Sequence, residues 1–72
     1  MDFKAATDIL TRRITADDIA EAAGVSVSSI ARARLDLSSS AYRSPPETWK
    51  AAVVALARER CSELQQLLSG LE

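Results

Sequence analysis

A chain of 72 residues with a net charge of −1 is expected to form one small domain, because so short a chain buries only about 60% of its unfolded surface. With no histidine and a single cysteine, Cys61, it lacks the commonest general base, an internal disulfide framework and a cysteine-rich zinc site. Few glycines and prolines, abundant alanine and leucine, and no apolar run near the roughly 18 residues of a membrane span favour an all-α fold that does not enter a membrane.

Residues 2–11 predict a first helix, because apolar side chains recur on one face at helical spacing. Asp2 can cap this helix, since its side-chain oxygen can accept a hydrogen bond from an unpaired amide of the first turn. The apolar face consists of Phe3, Ala6, Ile9 and Leu10.

Thr15 begins a second helix, and Asp18 follows at the spacing of a capping box, with aspartate in place of glutamate. Gly24 ends that helix, because glycine adopts the left-handed conformation at little cost. Ser26 then caps a third helix over about residues 27–35. Ile30 and Ala33 are predicted to point inward from the third helix, and Leu37 continues the same line. The residues predicted to point outward are Val27, Ser28, Ala31 and Arg32.

A loop over residues 36–44 precedes a long last helix. The sequence of residues 44–47 predicts its start, with Ser44 as the cap, Pro45 in the first helical position and Glu47 closing a capping box. The helix should then run from 45 to about 69 and stop at Gly70, a length of roughly 37 Å. Since a compact domain of this size has a radius of gyration of about 11 Å, the helix should overhang it.

Two apolar stripes run along this last helix. One is assigned to the core, and the other has the 3-4-3-4 spacing that suits a partner helix. A two-fold homodimer is the simplest partner, and the alternative is a monomer in which the helix folds back over its own body. Cys61 is expected to be a buried small hydrophobic residue rather than a redox switch. The core stripe is Trp49, Ala52, Val53 and Leu56, and the predicted dimerisation stripe is Val54, Ala57, Cys61, Leu64, Leu68 and Leu71.

Residues 16–35 have the features of two short helices that cross steeply. Small residues are needed where the helices touch, a positive φ is needed in the turn, and apolar side chains must fill the angle between them. That arrangement is a helix-turn-helix. Ala20 and Ala23 are the small residues at the contact, Gly24 provides the positive φ, and Val25 and Ile30 fill the angle between the helices.

The stretch DIAEAAGVSVSSIAR at residues 18–32 resembles the helix-turn-helix of the lac-repressor family headpiece, although here a helix precedes it and no hinge or sugar-binding domain follows. With its leading helix, the chain is more similar to lambda-repressor-like domains. Tyr42-Arg43-Ser44-Pro45-Pro46-Glu47, followed by Ala51, Ala52 and Leu56-Ala57, resembles small phage repressors of the anti-CRISPR-associated kind. These resemblances imply one all-α domain over residues 1–72, with four or five helices, that regulates transcription.

In such a motif the second helix lies in the major groove, where its outward residues face the base edges. Arg32 is the leading candidate to read guanine, and Val27 can contact a thymine methyl group. Hydroxyl groups and amides at the helix starts would hold phosphates. Arg34 is open between a phosphate contact and an internal ion pair. The predicted DNA-binding residues are Thr15, Ser26, Val27, Ser28, Ser29, Ala31, Arg32 and Arg43.

The expected protein is therefore a cytoplasmic regulator, located on the bacterial nucleoid when bound to DNA, that binds a palindromic site as a homodimer and has no cofactor, membrane partner or small-molecule effector. It could repress, or activate through an acidic surface of Glu47, Glu59 and Glu63. A protein-interaction module and a fragment of a longer recombinase or regulator are the alternatives. An enzyme is the least expected class, because no residues combine as base, nucleophile and anion hole.

Overall fold

The chain forms four helices and no strand in the computed structural model, which describes residues 1–72. About two thirds of the protein, 65% of its residues, is helical. The predicted all-α class with a long C-terminal helix is confirmed. The helices are α1 (Phe3–Thr11), α2 (Ala16–Ala23), α3 (Val27–Ala33) and α4 (Trp49–Leu71).

The first three helices begin at the predicted caps. The side chains of Asp2 and Ser26 each accept a hydrogen bond from the backbone amide three residues later, at 2.8 and 3.2 Å. Thr15 and Asp18 form a reciprocal capping box, in which the Asp18 carboxylate accepts from the Thr15 amide at 2.9 Å and the Thr15 hydroxyl accepts from the Asp18 amide at 3.4 Å. Local sequence therefore determines where α1, α2 and α3 start.

The end of α3 differs from the prediction. The helix stops at Ala33, and Leu37, which was expected to continue its inward line, is 77% exposed. Asp36 explains the change, because its carboxylate accepts hydrogen bonds from both the amide and the hydroxyl of Ser38 at 3.0 Å. The resulting turn takes the chain away from the helix axis before Leu37 can pack.

The start of α4 also differs, since the helix begins at Trp49 and not at Pro45. A residue that precedes a proline is disfavoured in the α conformation, so Pro45 cannot be the first helical residue when Pro46 follows it. Thr48 lies in the capping position but makes no capping bond. Its hydroxyl instead donates to the carbonyl of Ala23 at 2.7 Å, which ties the start of α4 to the end of α2.

The other end of α4 extends past the predicted stop. Gly70 lies inside the helix, which ends at Leu71, and the amide of Glu72 donates to the carbonyl of Leu68 at 2.9 Å. Gly70 has no positive φ, and a glycine that is not left-handed has no reason to end a helix.

Helix α4 supports two separate packing units. Its first half packs against α2, which in turn contacts α3, while its second half packs against α1. The result is elongated, with dimensions of 49 × 20 × 18 Å and a radius of gyration of 15.7 Å. A compact chain of this length would have a radius of about 11 Å. Only five residues are buried, and they are Ala20, Ala23, Ile30, Ala52 and Leu67.

Arg60 fastens α1 to α4. Its guanidinium donates to the carbonyls of Ile9 and Leu10 at 2.8 and 3.0 Å, at the C-terminal end of α1. The last carbonyls of a helix lack the usual partner four residues on, and here the Ile9 carbonyl accepts from both the Arg12 amide and Arg60, while the Leu10 carbonyl accepts from Arg60. Glu63 pairs with Arg60 at 3.0 Å and with Arg12 at 3.3 Å, which closes a small ionic network between the two helices.

Three residues expected to be buried are more exposed than predicted. Trp49 and Val53 of the core stripe are 42% and 46% exposed, and Cys61 is also exposed. Helix α2 packs on the side of α4 that carries Ala52 and Leu56, which leaves Trp49 at the edge of the contact. Helix α1 packs on the side that carries Leu67, so it does not cover Cys61. None of the four helices has both the length and the apolar character that crossing a membrane requires.

The two glycines should respond in opposite ways to alanine substitution. Gly24 has a φ of +74°, which an L-residue adopts only at a cost, so Gly24→Ala should lower the free energy of unfolding by about 1–2 kcal/mol. Gly70 is helical and an added Cβ would meet the Met1 Cε atom at an ordinary 3.4 Å, so Gly70→Ala should cause no loss. Urea denaturation followed by circular dichroism measures both. Equal midpoints for the two variants would contradict the assigned role of Gly24.

Candidate nucleic-acid interface

Helix α3 separates into a packed side and a free side. Ile30 is buried and Ala33 half-buried, as the sequence predicts. The four outward residues are all exposed, and the one large apolar residue among them, Val27, is 42% exposed. No other segment of the chain covers this free side, so the outer surface of α3 is accessible to a partner. Its residues are Val27, Ser28, Ala31 and Arg32.

The orientation of α3 is fixed from behind by α2. A three-residue turn, 24–26, joins the two helices, and Gly24 provides the one positive φ in the protein. The Gly24 amide donates to the carbonyls of Ala20 and Glu21, and the Val25 amide donates to that of Ala20 at 3.0 Å. Since Thr48 holds the same end of α2, the turn is tied to both neighbouring helices. These bonds fix the orientation of the free side of α3 relative to α2 and α4.

Three unpaired arginines lie at the C-terminal end of α3. The four ion pairs of the protein use only Lys4, Arg12 and Arg60 as cations, so Arg32, Arg34 and Arg43 have no carboxylate within 4.0 Å. The Arg43 amide donates to the Arg32 carbonyl at 3.4 Å, which brings the returning loop back to the helix. The internal ion pair that was open for Arg34 does not form. Three arginines without an ion pair therefore lie in α3 and the loop that follows it, together with the carboxylate of Asp36, in a chain with a net charge of −1.

Arg43 is partly engaged by its own loop. Its Nη1 atom donates to the carbonyl of Tyr42 at 2.8 Å and to that of Ser40 at 3.5 Å. The side chain is nevertheless exposed, and a guanidinium has five N–H donors. Arg43 can thus keep these contacts and still donate to a phosphate.

The hydroxyl groups predicted to hold phosphates are not equivalent. The Thr15 hydroxyl donates a hydrogen bond to the Asp18 carboxylate at 3.2 Å, and Asp17 adds a further negative charge to the same turn. Ser26 and Ser29 share one hydrogen bond of 3.0 Å, so one of their two protons stays free. Hydroxyls and amides at the start of α3 therefore suit an anion better than those at the start of α2.

An apolar groove beside α3 was not predicted. It has a volume of about 280 Å³ and lies between α2, α3, the two prolines and the start of α4. Arg34 and Trp49 line it, and the Lys50 Nζ atom lies 5.7 Å from the centre of the Trp49 ring. No sequence signal could have located this groove, because the late start of α4 leaves the prolines as its wall.

No three carboxylate or thiol side chains converge in a group that could hold a metal ion. No protein-family model, curated protein or solved structure matches the chain. A functional assignment therefore depends on the geometry of α3 and its surroundings.

Two aspartates at turns have lowered pKa values. Hydrogen bonds from the Thr15 amide and then its hydroxyl hold the pKa of Asp18 below its usual value, and Arg12 contributes through its charge. The amide and hydroxyl of Ser38 lower the pKa of Asp36 in the same way. A carboxyl group that ionises more readily in the folded state stabilises the fold above its unfolded pKa, and that contribution is lost as the pH falls.

We expect Asp18→Ala to lower the unfolding temperature at neutral pH. As the pH drops below about 4, the unfolding temperature of this variant should fall less than that of the wild type. Asp17→Ala is the matched control, because it removes the same charge from the same turn without breaking the capping box. Thermal unfolding followed by circular dichroism from neutral to about pH 2 distinguishes them. If both variants lose the same stability at every pH, the capping box is not the source of the effect.

Proposed function

We propose that the protein is a sequence-specific regulator of transcription that binds double-stranded DNA with α3, as one of two copies on a palindromic site. The observation that carries this proposal is the uncovered outer side of α3, held in a fixed direction by α2. A protruding helix fits the major groove, where each base pair displays its own pattern of donors and acceptors. An enzyme is not proposed, since the free side of α3 contains no base or nucleophile pair.

The free side has the chemistry to distinguish base pairs. Arg32 has no internal partner, so its guanidinium can donate to the O6 and N7 atoms of guanine, a contact worth about 1–3 kcal/mol of discrimination. Val27 is apolar and exposed, which suits contact with a thymine methyl group. Ser28 can donate or accept and so specifies little. Arg32 is the residue on which we expect sequence preference to depend most.

Phosphate contacts would come from the groups around the free side. Arg34 and Arg43 lie at the C-terminal end of α3, and Ser26 and Ser29 lie at its start. Such contacts fix the register of a protein on DNA without reading sequence. Each phosphate neutralised by an arginine should make log K fall with log salt by a slope of about −0.9. A steep salt dependence thus measures this part of the interface.

A protein-interaction module is the second candidate. Leu35 and Leu37 are 42% and 77% exposed beside the end of α3, and exposed leucines are unusual neighbours for a phosphate backbone. A partner protein bound there would show weak salt dependence. Activation through an acidic surface has less support, because Glu59 and Glu63 are already paired with Arg12.

The test begins with selection of bound sites from a random pool of double-stranded DNA, which yields the preferred site and its symmetry. Arg32→Ala should then weaken binding to the selected site by about 10- to 100-fold and binding to scrambled DNA much less. Arg58→Ala is the matched control, since Arg58 is an exposed, unpaired arginine on α4 away from α3. Equal losses on both DNAs would make Arg32 a phosphate contact. Failure to enrich any sequence would refute specific DNA binding.

A further inference from the structure

A single chain exposes more surface than a monomer of its mass should. Its solvent-accessible surface is 5585 Å². Folded monomers follow a relation between surface and mass that gives about 4,400 Å² at this mass, which leaves an excess of about 1,200 Å². Stable interfaces bury roughly 800 Å² per partner, and obligate dimers bury more. The excess is therefore of the size that a dimer interface would cover.

The apolar part of this surface on α4 lies a quarter turn away from α1. At about 100° per residue, the members of the predicted dimerisation stripe lie within an arc of roughly 100°, centred about 90° from Leu67. Leu67 is the buried residue that faces α1. Leu64 is half-buried at the near edge of the stripe, while Cys61 and Leu68 are exposed farther round. Neither α1 nor α2 covers these outer residues.

Helix α1 extends the same surface. It runs antiparallel to α4, since Met1 lies beside Gly70 and Arg12 pairs with Glu63. When two helices run antiparallel, the same angle can be measured on each helix from its contact residue, in the direction in which successive residues rotate. On both helices that angle points to the same side of the pair. Leu10 and Phe3 lie roughly 100–120° from Ile9, the residue of α1 that faces α4.

Phe3 and Leu10 therefore project on the same side as Leu68 and Cys61. Their exposed fractions in a single chain are 84% and 59%, and that of Leu68 is 55%. Ala6 lies between the two helices and is half-buried. We define the two-helix face as the uncharged residues on this side, which are exposed except for the half-buried Leu64: Phe3, Leu10, Ala57, Cys61, Leu64 and Leu68.

We propose that a second copy of the chain covers the two-helix face, so that two α1 helices and two α4 helices form the interface of a homodimer. The excess area matches that need, and a C2 contact requires only one self-complementary face. The chain has few buried residues of its own, three of the five being alanine, so its stability depends on this contact. The inference deepens the two-copy part of the proposed function by assigning the interface, and the observations behind it do not depend on whether α3 binds DNA.

Cys61 provides a test on the unaltered protein. It is the single thiol of the chain, lies in the two-helix face and is exposed in one copy. Its rate of alkylation by a small maleimide should fall by about tenfold as the protein concentration rises from far below to roughly 50 times the dissociation constant measured by sedimentation. A rate that does not change while sedimentation reports a dimer would place the interface elsewhere. A monomer at every concentration would overturn the proposal.

Substitutions test which helices take part. Phe3→Asp and Leu68→Asp should each raise the dimer dissociation constant by at least about tenfold, because each buries a charge in an apolar contact. Leu37→Asp is the matched control, since Leu37 is a comparably exposed apolar residue outside the face, and it should leave the constant unchanged. Wild-type affinity in both face variants would overturn the proposal. If a face variant unfolds, the alkylation of Cys61 in the wild type still decides the outcome. Neither experiment involves DNA, so its failure is distinct from failure of the proposed function.

Discussion

The structure depends on α4 as the shared support of two packing units. Helix α2 lies against its first half and α1 against its second half, while α3 packs on α2 and faces the start of α4 across the apolar groove. A helix of 23 residues can serve both units because it is about 35 Å long, roughly three times the radius of a compact chain of this size. Close helix packing joins α2 to the first half of α4, and ionic contacts help to join α1 to the second half.

The two ends of α4 are joined to their partners by different chemistry. At the first end, Ala20, Ala23 and Ala52 let the helix backbones approach closely, and Thr48 adds a hydrogen bond to α2. At the second end, Leu67 provides one buried contact and Arg60 satisfies the last carbonyls of α1. Neither end buries much apolar side-chain surface. A protein with so little core leaves several large apolar side chains in water, and that excess is the physical reason to expect a second copy.

The proposed function and the proposed dimer use separate parts of the protein. The outer side of α3 belongs to the unit at the first half of α4, whereas the two-helix face belongs to the second half. A regulator built in this way could change its partner contacts without disturbing its recognition helix. A two-fold axis through the α1–α4 face would also place two copies of α3 in one assembly, which is the arrangement that a palindromic site requires.

The sequence by itself determined the helical class, the starts of α1, α2 and α3, the turn at Gly24 and the division of α3 into inner and outer sides. These features depend on contacts within a few residues, such as the capping bonds of Thr15 and Ser26 and the left-handed conformation of a glycine. Only the tertiary structure decided the exposure of Trp49 and Cys61, the fastening of α1 by Arg60 and the joining of Phe3 to the stripe on α4. Those features depend on which side of a long helix each neighbour occupies, and periodicity along one helix cannot specify the rotation of another helix against it.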